Sequence, residues 1–127
     1  MKTIKTMMLL SALVFVFACN SDDSPNNQAP VLADSTMNMD ENPTSDLLTT
    51  MVATDAEEDQ LTYSIVSQTP TNSVGINATN GEVYIVNASA FDYEQNTKIT
   101  VVIAVTDGVN ITESTLAINI QDVNENG

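Results

Sequence analysis

Residues 99–106 read Ile-Thr-Val-Val-Ile-Ala-Val-Thr, and this stretch decides the class of fold. Its apolar side chains recur at every second position, which is the period of a β-strand with one face in a protein core. The same alternation is found in residues 61–65 and in residues 116–121. We therefore predict an all-β chain whose strands each bury one face.

Four weaker stretches extend this pattern: residues 31–39, 48–54, 74–76 and 83–85. Pro30 precedes the first of them, and a proline at that position is typical of an edge strand. Asn80-Gly81 comes before the last one and is suited to a tight hairpin turn, because both residues accept positive φ. Seven short strands with no convincing helix predict a seven-stranded β-sandwich.

Residues 1–18 have the features of a secretory signal peptide. Lys2 and Lys5 precede an apolar run from Met7 to Phe17, and this order of charged start and apolar centre is typical of such leaders. The run is shorter than the roughly 20 residues that a membrane-spanning helix needs. We expect the leader to be removed.

Cys19 is the one cysteine of the chain and follows Val16-Phe17-Ala18. This order resembles the lipobox of bacterial lipoproteins, which implies lipidation of Cys19. Residues 19–29 are mostly Asn, Ser, Asp and Pro, and we predict that they form a flexible tether. Ordinary secretory cleavage after Ala18, leaving a free thiol, is the alternative.

The composition limits the possible functions. The chain has 127 residues, enough for one ordinary domain, which we place at residues 30–127, and its net charge is −14. Such an acidic surface repels nucleic acid and anionic membranes, and bound cations would relieve its self-repulsion. Histidine and tryptophan are absent and aromatic residues make up 5%, which argues against an aromatic-lined hydrolase cleft. We expect no enzymatic activity.

Short clusters of oxygen-bearing side chains interrupt or end the predicted strands. If the strands run alternately up and down, Asn26-Asn27, Asp55, Glu57 and Asp107 meet at one pole of the sandwich. The opposite pole then receives Glu41, Asp92, Glu94 and residues 122–126. Clustered oxygen ligands are what calcium requires. Any single acid could equally end a strand or solvate the surface.

Eight blocks in order resemble the signature of a cadherin repeat, and they cover almost all of residues 26–126. They are Asn26-Asn27-Gln28-Ala29-Pro30, Asp40-Glu41-Asn42, Ala53-Thr54-Asp55-Ala56-Glu57, Leu61-Thr62-Tyr63-Ser64-Ile65, Asn80-Gly81-Glu82-Val83, Phe91-Asp92-Tyr93-Glu94, Ala104-Val105-Thr106-Asp107-Gly108 and Asp122-Val123-Asn124-Glu125-Asn126. The resemblance implies a Greek-key sandwich of immunoglobulin-like architecture whose successive copies are joined by calcium.

The resemblance also implies two calcium half-sites. The half-site facing a following domain would contain Glu41, Asp92, Glu94, Asp122, Asn124, Glu125 and Asn126. The half-site facing a preceding domain would contain Asp55, Glu57 and Asp107, with Asn26 and Asn27. Glu57 and Glu125 stand where the family usually has Asp, and Asn27 also replaces an Asp. These departures lengthen two ligand arms and remove one charge, so the C-terminal half-site is expected to be the more complete.

Three functions remain open from the sequence. The first is a calcium-binding adhesion or interaction module on a lipid-anchored cell-envelope protein, whose partner is a surface protein or a glycan, with homophilic contact carried over from the family. The second is a structural spacer that calcium stiffens without any recognition. The third, an enzyme, is disfavoured by the composition given above.

Overall fold

The computed structural model describes residues 26–124, and these residues form a β-sandwich. Within that range seven strands follow one another along the chain: β1 (Ser35–Asp40), β2 (Leu47–Thr50), β3 (Thr62–Thr69), β4 (Val74–Ile76), β5 (Glu82–Ile85), β6 (Lys98–Thr106) and β7 (Ile111–Gln121). A single 3₁₀ turn at Ala88–Ala90 lies between β5 and β6. The all-β, seven-stranded prediction is confirmed.

The strands form two sheets. One has four strands in the order β1-β7-β6-β3, and the other has three in the order β2-β5-β4. β1 and β7 are parallel, whereas the other hydrogen-bonded pairs are antiparallel. Because β1 and β7 run in the same direction, with Asp40 opposite Gln121, the acids that follow these two strands lie at the same pole.

The core lies between the two sheets and is built mainly from the inward faces of β6 and β7. The side chains of Ile99, Val101, Ile103, Val105, Leu116 and Ile118 are fully buried there. Phe91, just after the 3₁₀ turn, is also fully buried. Each side chain of this size stabilises the fold by about 1.5–3 kcal/mol through its removal from water. The alternation in residues 99–106 therefore supplies four of the buried side chains of the core: Ile99, Val101, Ile103 and Val105.

The first predicted strand is divided between an isolated bridge and the four-stranded sheet. Val31 exchanges backbone hydrogen bonds of 2.8 and 3.0 Å with Thr54, in a bridge outside the seven strands. From Ser35 onward the chain pairs instead with β7. The prediction of one strand over 31–39 was wrong for this reason, and the strand predicted over 48–54 runs as Leu47–Thr50 with Thr54 in the separate bridge.

Two further local predictions need correction. β3 continues to Thr69, past a bulge between Ile65 and Ser67. The turn before β5 is a five-residue loop over 77–81, closed by the Asn77 backbone N–H, which donates to the Glu82 carbonyl at 2.8 Å. Gly81 has a φ of 78°. Asn80 is absent from the positive-φ residues of the described range, so the tight two-residue turn was wrong.

Several sequence predictions fall outside the described residues. These are the signal peptide at 1–18, Cys19 and most of the tether, and at the other end Glu125 and Asn126. Among residues 26–124, no helix has the length and apolar character needed to cross a membrane.

Candidate metal centres

A tight loop after the Val31–Thr54 bridge gathers the acids of the first pole. Asp55 Oδ1 accepts hydrogen bonds from the backbone N–H groups of Glu57, at 2.9 Å, and Asp59, at 3.1 Å. Glu58 adopts a φ of 61°, which turns the chain back on itself. As a result, one carboxylate oxygen each from Asp55, Glu57 and Asp59 lie within 4.8 Å of one another. We call these three residues the Asp55 cluster.

One carboxylate oxygen of Asp55, Oδ2, is buried without a hydrogen-bond donor among the described residues. A buried carboxylate oxygen left without a donor is costly, and native proteins rarely retain one without a function or a bound group. A cation beside Oδ2 would remove that cost.

Asp107 lies beside this cluster and is held by several donors. Its Oδ1 accepts the backbone N–H groups of Val109 and Asn110 at 2.8 and 2.7 Å, and its Oδ2 accepts the Asn27 side-chain amide at 3.0 Å. The backbone donors Asn110 and Val109 are the main reason that the pKa of Asp107 lies below its ordinary value. Asp107 therefore stays ionised to a lower pH than an ordinary aspartate, and it holds the start of the described chain through Asn27.

The start of the described chain also contacts the cluster directly. The backbone N–H of Gln28 donates to Glu57 Oε1 at 3.2 Å, and the Asn110 side-chain amide donates to the Asn27 carbonyl at 3.2 Å. No hydrogen bond of Asn26 appears among the described contacts of this pole. The structure thus brings Asn27, Asp55, Glu57 and Asp107 to one end of the sandwich.

Asp59 is a candidate ligand that the sequence reasoning missed. Loss of hydration, followed by repulsion from Asp55, Asp107 and Glu57, raises its pKa above the ordinary value. The sequence did contain a signal, the acidic run 57–59. These residues lie in the same short loop before β3 as Asp55, so one of the later acids could have been expected near it. Only the fold of that loop shows that Asp59, rather than Glu58, belongs to the cluster.

The opposite pole is organised around Glu41, which directly follows β1. Glu41 is only 3% exposed, and its two carboxylate oxygens accept backbone N–H groups from different segments. Oε2 accepts from Tyr93 and Oε1 accepts from Val123, both at 2.9 Å. Glu41 therefore ties together the three chain segments that carry the predicted C-terminal half-site.

Carboxylate oxygens of Glu41, Glu94 and Asp122 lie within 4.8 Å of one another, and we call these residues the Glu41 cluster. Loss of hydration and then repulsion from Glu41 raise the pKa of Glu94. Asp92 is outside this group: its Oδ1 accepts the Glu94 backbone N–H at 3.1 Å and its Oδ2 accepts the Gln95 side-chain amide at 2.9 Å. Asp92 therefore holds the 92–95 turn in shape. Asn124 is exposed at the end of the described residues.

The donor atoms in both clusters are carboxylate oxygens. This donor set matches hard cations such as calcium, which takes 6–8 oxygen ligands, and does not match zinc, which prefers nitrogen and sulfur. Three carboxylates in each cluster provide part of such a shell. The buried Oδ2 of Asp55 is consistent with a cation at its pole, and so are the loss of hydration and the neighbouring charges that raise the pKa of Glu94 and Asp59.

Comparison with known proteins agrees with this arrangement. The family described as "Cadherin domain" matches residues 35–121. The mouse protein "Cadherin-related family member 2" is 36% identical over 76 residues, which cover 60% of this chain and 6% of that protein. The chain thus spans only a small part of the curated relative that it matches.

Solved structures share the same fold. "Crystal Structure of Human Protocadherin-24 EC1-2 Form II" has a TM-score of 0.69 at 24% identity, and the alignment covers 78% of this chain and 47% of that one. For "Crystal structure of Drosophila N-cadherin EC1-4" the TM-score is 0.67 at 19% identity, and the alignment covers 84% of this chain and 27% of that one. With the sandwich, its strand order and the family match over most of the folded residues, this chain belongs to the cadherin domain family.

Proposed function

We propose that this chain is a calcium-binding cadherin module that mediates adhesion or protein interaction at a cell surface, without enzymatic activity. The observation that carries the proposal is the pair of three-carboxylate clusters at opposite poles of one sandwich. Membership of the cadherin family supports adhesion as the role of the module.

At the C-terminal pole, Glu41, Glu94 and Asp122 would hold the cation. Asp92 keeps the 92–95 turn in shape, and Asn124, Glu125 and Asn126 follow Asp122 closely enough in sequence to add oxygens. A bound calcium would cancel the repulsion between Glu94 and Glu41. It would also hold the segment that leaves β7 against the end of β1, which sets the direction of whatever follows.

At the N-terminal pole, Asp55, Glu57 and Asp59 would hold the cation, with Asp107 as a neighbouring charge. Asp59 adds a carboxylate that the family resemblance had not suggested. The cation would provide a partner for the buried Asp55 Oδ2. Because Gln28 and Asn27 contact Glu57 and Asp107, the cation would also order the segment that leads into the domain.

We further propose that the module is anchored to the cell envelope through a lipid on Cys19, after removal of residues 1–18. Residues 19–29 would separate the sandwich from the membrane. This part of the proposal rests on the sequence of residues 1–29, in which an apolar run ends at a small residue followed by cysteine. Its partner would then be a surface protein or glycan encountered outside the cell.

One observation favours the spacer as a second candidate. Glu41 already joins Tyr93 and Val123 by hydrogen bonds that need no metal, so the C-terminal pole has an internal clamp that holds its shape. A domain stiffened in this way could serve only to position neighbouring domains. The two candidates differ in whether attachment to a partner depends on calcium.

Calcium titration of residues 20–127, followed by heat of binding and thermal unfolding, tests the proposal. We expect a saturable response, with stabilisation of about 2.7 kcal/mol at 100 times the dissociation constant. Glu94→Gln with Asp122→Asn should remove the C-terminal component, and Glu57→Gln with Asp59→Asn the N-terminal one. Asp46→Asn, an exposed acid outside both clusters, is the matched control.

Attachment of protein-coated beads to cells or to one another then separates adhesion from spacing. Adhesion predicts that attachment requires calcium and is lost in the two cluster variants but not in Asp46→Asn. A calcium response in melting temperature with no change in attachment supports the spacer. No calcium response at several tens of millimolar overturns calcium binding by this chain.

A further inference from the structure

The most exposed large apolar side chains of the described residues are concentrated toward one pole of the sandwich. Four of them are at least 66% exposed: Val31, Val52, Val109 and Ile111. Elsewhere in the described range no large apolar side chain is more than 57% exposed. Scattered single exposed apolar residues are ordinary, but a concentration of them marks an interaction surface. We call these four residues the apolar rim.

Two residues of the apolar rim precede the Asp55 cluster closely in the fold. Val31 forms the isolated bridge with Thr54, which is the residue directly before Asp55. Val52 lies in the same segment, two positions before Thr54. The segment that carries Val52 therefore leads straight into the loop that carries the acids, and Val31 is paired with it.

The other two residues of the apolar rim belong to the β6–β7 hairpin, which reaches the same pole. Val109 lies in the turn of this hairpin, where its backbone N–H donates to Asp107 Oδ1 at 2.8 Å, and Ile111 begins β7. The turn is held against the start of the described chain, because the Asn110 side-chain amide donates to the Asn27 carbonyl at 3.2 Å. The apolar side chains of the hairpin thus stand at the pole where the chain enters the domain.

The charges of this pole make its behaviour at a lipid surface depend on calcium. The acids of residues 55–59 and Asp107 lie there, whereas Lys98, the one basic side chain of residues 26–124, begins β6 at the far end of the strand that leads to Asp107. Without calcium these acids repel the phosphate groups of lipids. The three carboxylates of the Asp55 cluster fill only part of a shell of 6–8 oxygens, so lipid phosphate oxygens can complete the shell of a bound calcium.

The proposed lipid on Cys19 would keep this pole close to a membrane. Asn26, where the described residues begin, stands seven residues after Cys19. A chain of that length spans at most about 25 Å. The bilayer is therefore always within reach of the apolar rim, at the high effective concentration that a short linker gives.

We propose that the apolar rim is a membrane-docking surface, which calcium on the Asp55 cluster brings onto the phospholipid bilayer that carries the anchor. The valine and isoleucine side chains enter the boundary between headgroups and acyl chains, and calcium bridges the carboxylates and the lipid phosphates. Without calcium the pole is held off by charge. The inference rests on the proposed calcium binding and the proposed anchor, and it adds a fixed orientation in which the Glu41 cluster is directed away from the membrane.

Fluorescence on vesicles tests the proposal, because the chain contains no tryptophan and one cysteine. Residues 19–127 are coupled through the Cys19 thiol to a maleimide lipid, in vesicles of phosphatidylcholine and phosphatidylglycerol with brominated acyl chains. Val109→Trp then provides a single reporter on the apolar rim. We expect calcium to shift its emission to shorter wavelength and to quench it, and a chelator to reverse both changes. Chemical coupling makes the test independent of the proposed lipidation.

Val86→Trp provides the matched reporter at the other pole. Val86 directly follows β5 and is also exposed, and the 3₁₀ turn after it leads to Phe91, whose carbonyl accepts the Asn42 backbone N–H beside Glu41. We expect calcium to leave the emission of this reporter unchanged. Quenching at Val109→Trp should exceed quenching at Val86→Trp at least about threefold, because only the docked pole meets the acyl chains.

Further changes in the Val109→Trp chain identify the groups responsible. Ile111→Asp should reduce the calcium-dependent quenching at least about fivefold, because a carboxylate on the apolar rim opposes entry into the bilayer. Val86→Asp, the same kind of change at the other pole, should leave the quenching as it was. Glu57→Gln with Asp59→Asn should abolish it. Unfolding curves establish that each variant is folded.

Several outcomes would overturn this inference: equal quenching of the two reporters, quenching without calcium, or quenching that survives Glu57→Gln with Asp59→Asn. A calcium-induced emission shift of Val109→Trp in solution, with no quenching on vesicles, would assign the apolar rim to contact between protein chains and would also overturn it. Calcium titration without vesicles separates the two proposals. A calcium response in solution with no quenching on vesicles removes docking alone, whereas quenching on vesicles with no response in solution retains docking and removes calcium binding by the chain alone.

Discussion

Glu41 accepts a backbone hydrogen bond from Tyr93 and another from Val123, each 2.9 Å long, although these residues are 52 and 82 positions away in the chain. One buried carboxylate therefore joins the end of β1, the turn after the 3₁₀ segment and the segment that follows β7. In doing so it positions Glu94 and Asp122, which complete the Glu41 cluster.

Glu41→Ala should destabilise the domain by about 2–4 kcal/mol. The change leaves two partly buried N–H groups without acceptors. Each unpaired group costs about 1–3 kcal/mol, and hydrogen bonds to water reduce that cost. Urea unfolding at neutral pH measures the effect. Asp46→Ala, which removes an exposed acid near β2, is the control and should change stability by less than about 0.5 kcal/mol. Equal stability of Glu41→Ala and the parent chain would contradict the clamp.

Asp59→Asn should raise the melting temperature in the absence of calcium at neutral pH. The pKa of Asp59 is raised in the folded state, so its contribution to stability is largest below the ordinary carboxyl pKa and is lost as pH rises through the folded pKa. The amide removes that penalty. The advantage should therefore shrink towards pH 3, and excess calcium should reverse it if Asp59 is a ligand. A variant that is less stable than the parent in calcium-free solution at pH 7 would contradict the prediction.

Asp107→Asn should show the opposite pH dependence. The pKa of Asp107 is lowered by the backbone donors of Asn110 and Val109, so its ionised form stabilises the fold above the ordinary carboxyl pKa. That contribution is lost as pH falls through the folded pKa. The variant should be destabilised at pH 7 and approach the parent as the pH falls below the ordinary carboxyl pKa, as followed by thermal unfolding across pH. A constant difference at all pH values would show that the charge is not responsible.

Gly75→Ala and Gly81→Ala should both destabilise the chain, but for different reasons. Making each change in a Tyr84→Ala background distinguishes the two reasons. A Cβ at Gly75 would lie 2.6 Å from the Tyr84 ring, whereas one at Gly81 would collide with the Met51 carbonyl at a φ of +78°. Tyr84→Ala removes the obstacle at Gly75 only. Unfolding measurements should show that Gly75→Ala costs much less in that background, while Gly81→Ala still costs at least about 1 kcal/mol. Equal relief of both changes would contradict this explanation.

Much of the fold could be predicted from the sequence because strand alternation is a local property. Residues 99–106 and 116–121 specify which face is buried without reference to any neighbour, and the structure buries that face. The break in the first predicted strand was not predictable in this way. Val31 pairs with Thr54 in an isolated bridge whereas Ser35 pairs with Leu116, and pairing partners are a property of the folded chain.

The candidate metal sites were also predictable only in part. Chain order and alternating strand direction were enough to place Glu41, Glu94 and Asp122 at one pole, and Asp55, Glu57 and Asp107 at the other. They could not distinguish Asp92, which supports a turn, from Glu94, which joins the cluster. They also missed Asp59, because a loop bent by the positive φ of Glu58 decides which of its acids converge.

The sequence alone therefore determined the all-β class, the buried face of each long strand and the two groups of acids, since all of these follow from periodicity and chain order. Tertiary structure alone decided which oxygens come within a few ångströms of one another and that, among the described residues, Asp55 Oδ2 is buried without a hydrogen-bond partner. The physical reason is that periodicity sets the direction of a side chain relative to its own strand. Distances between side chains from different strands exist only after the sheets have paired and packed.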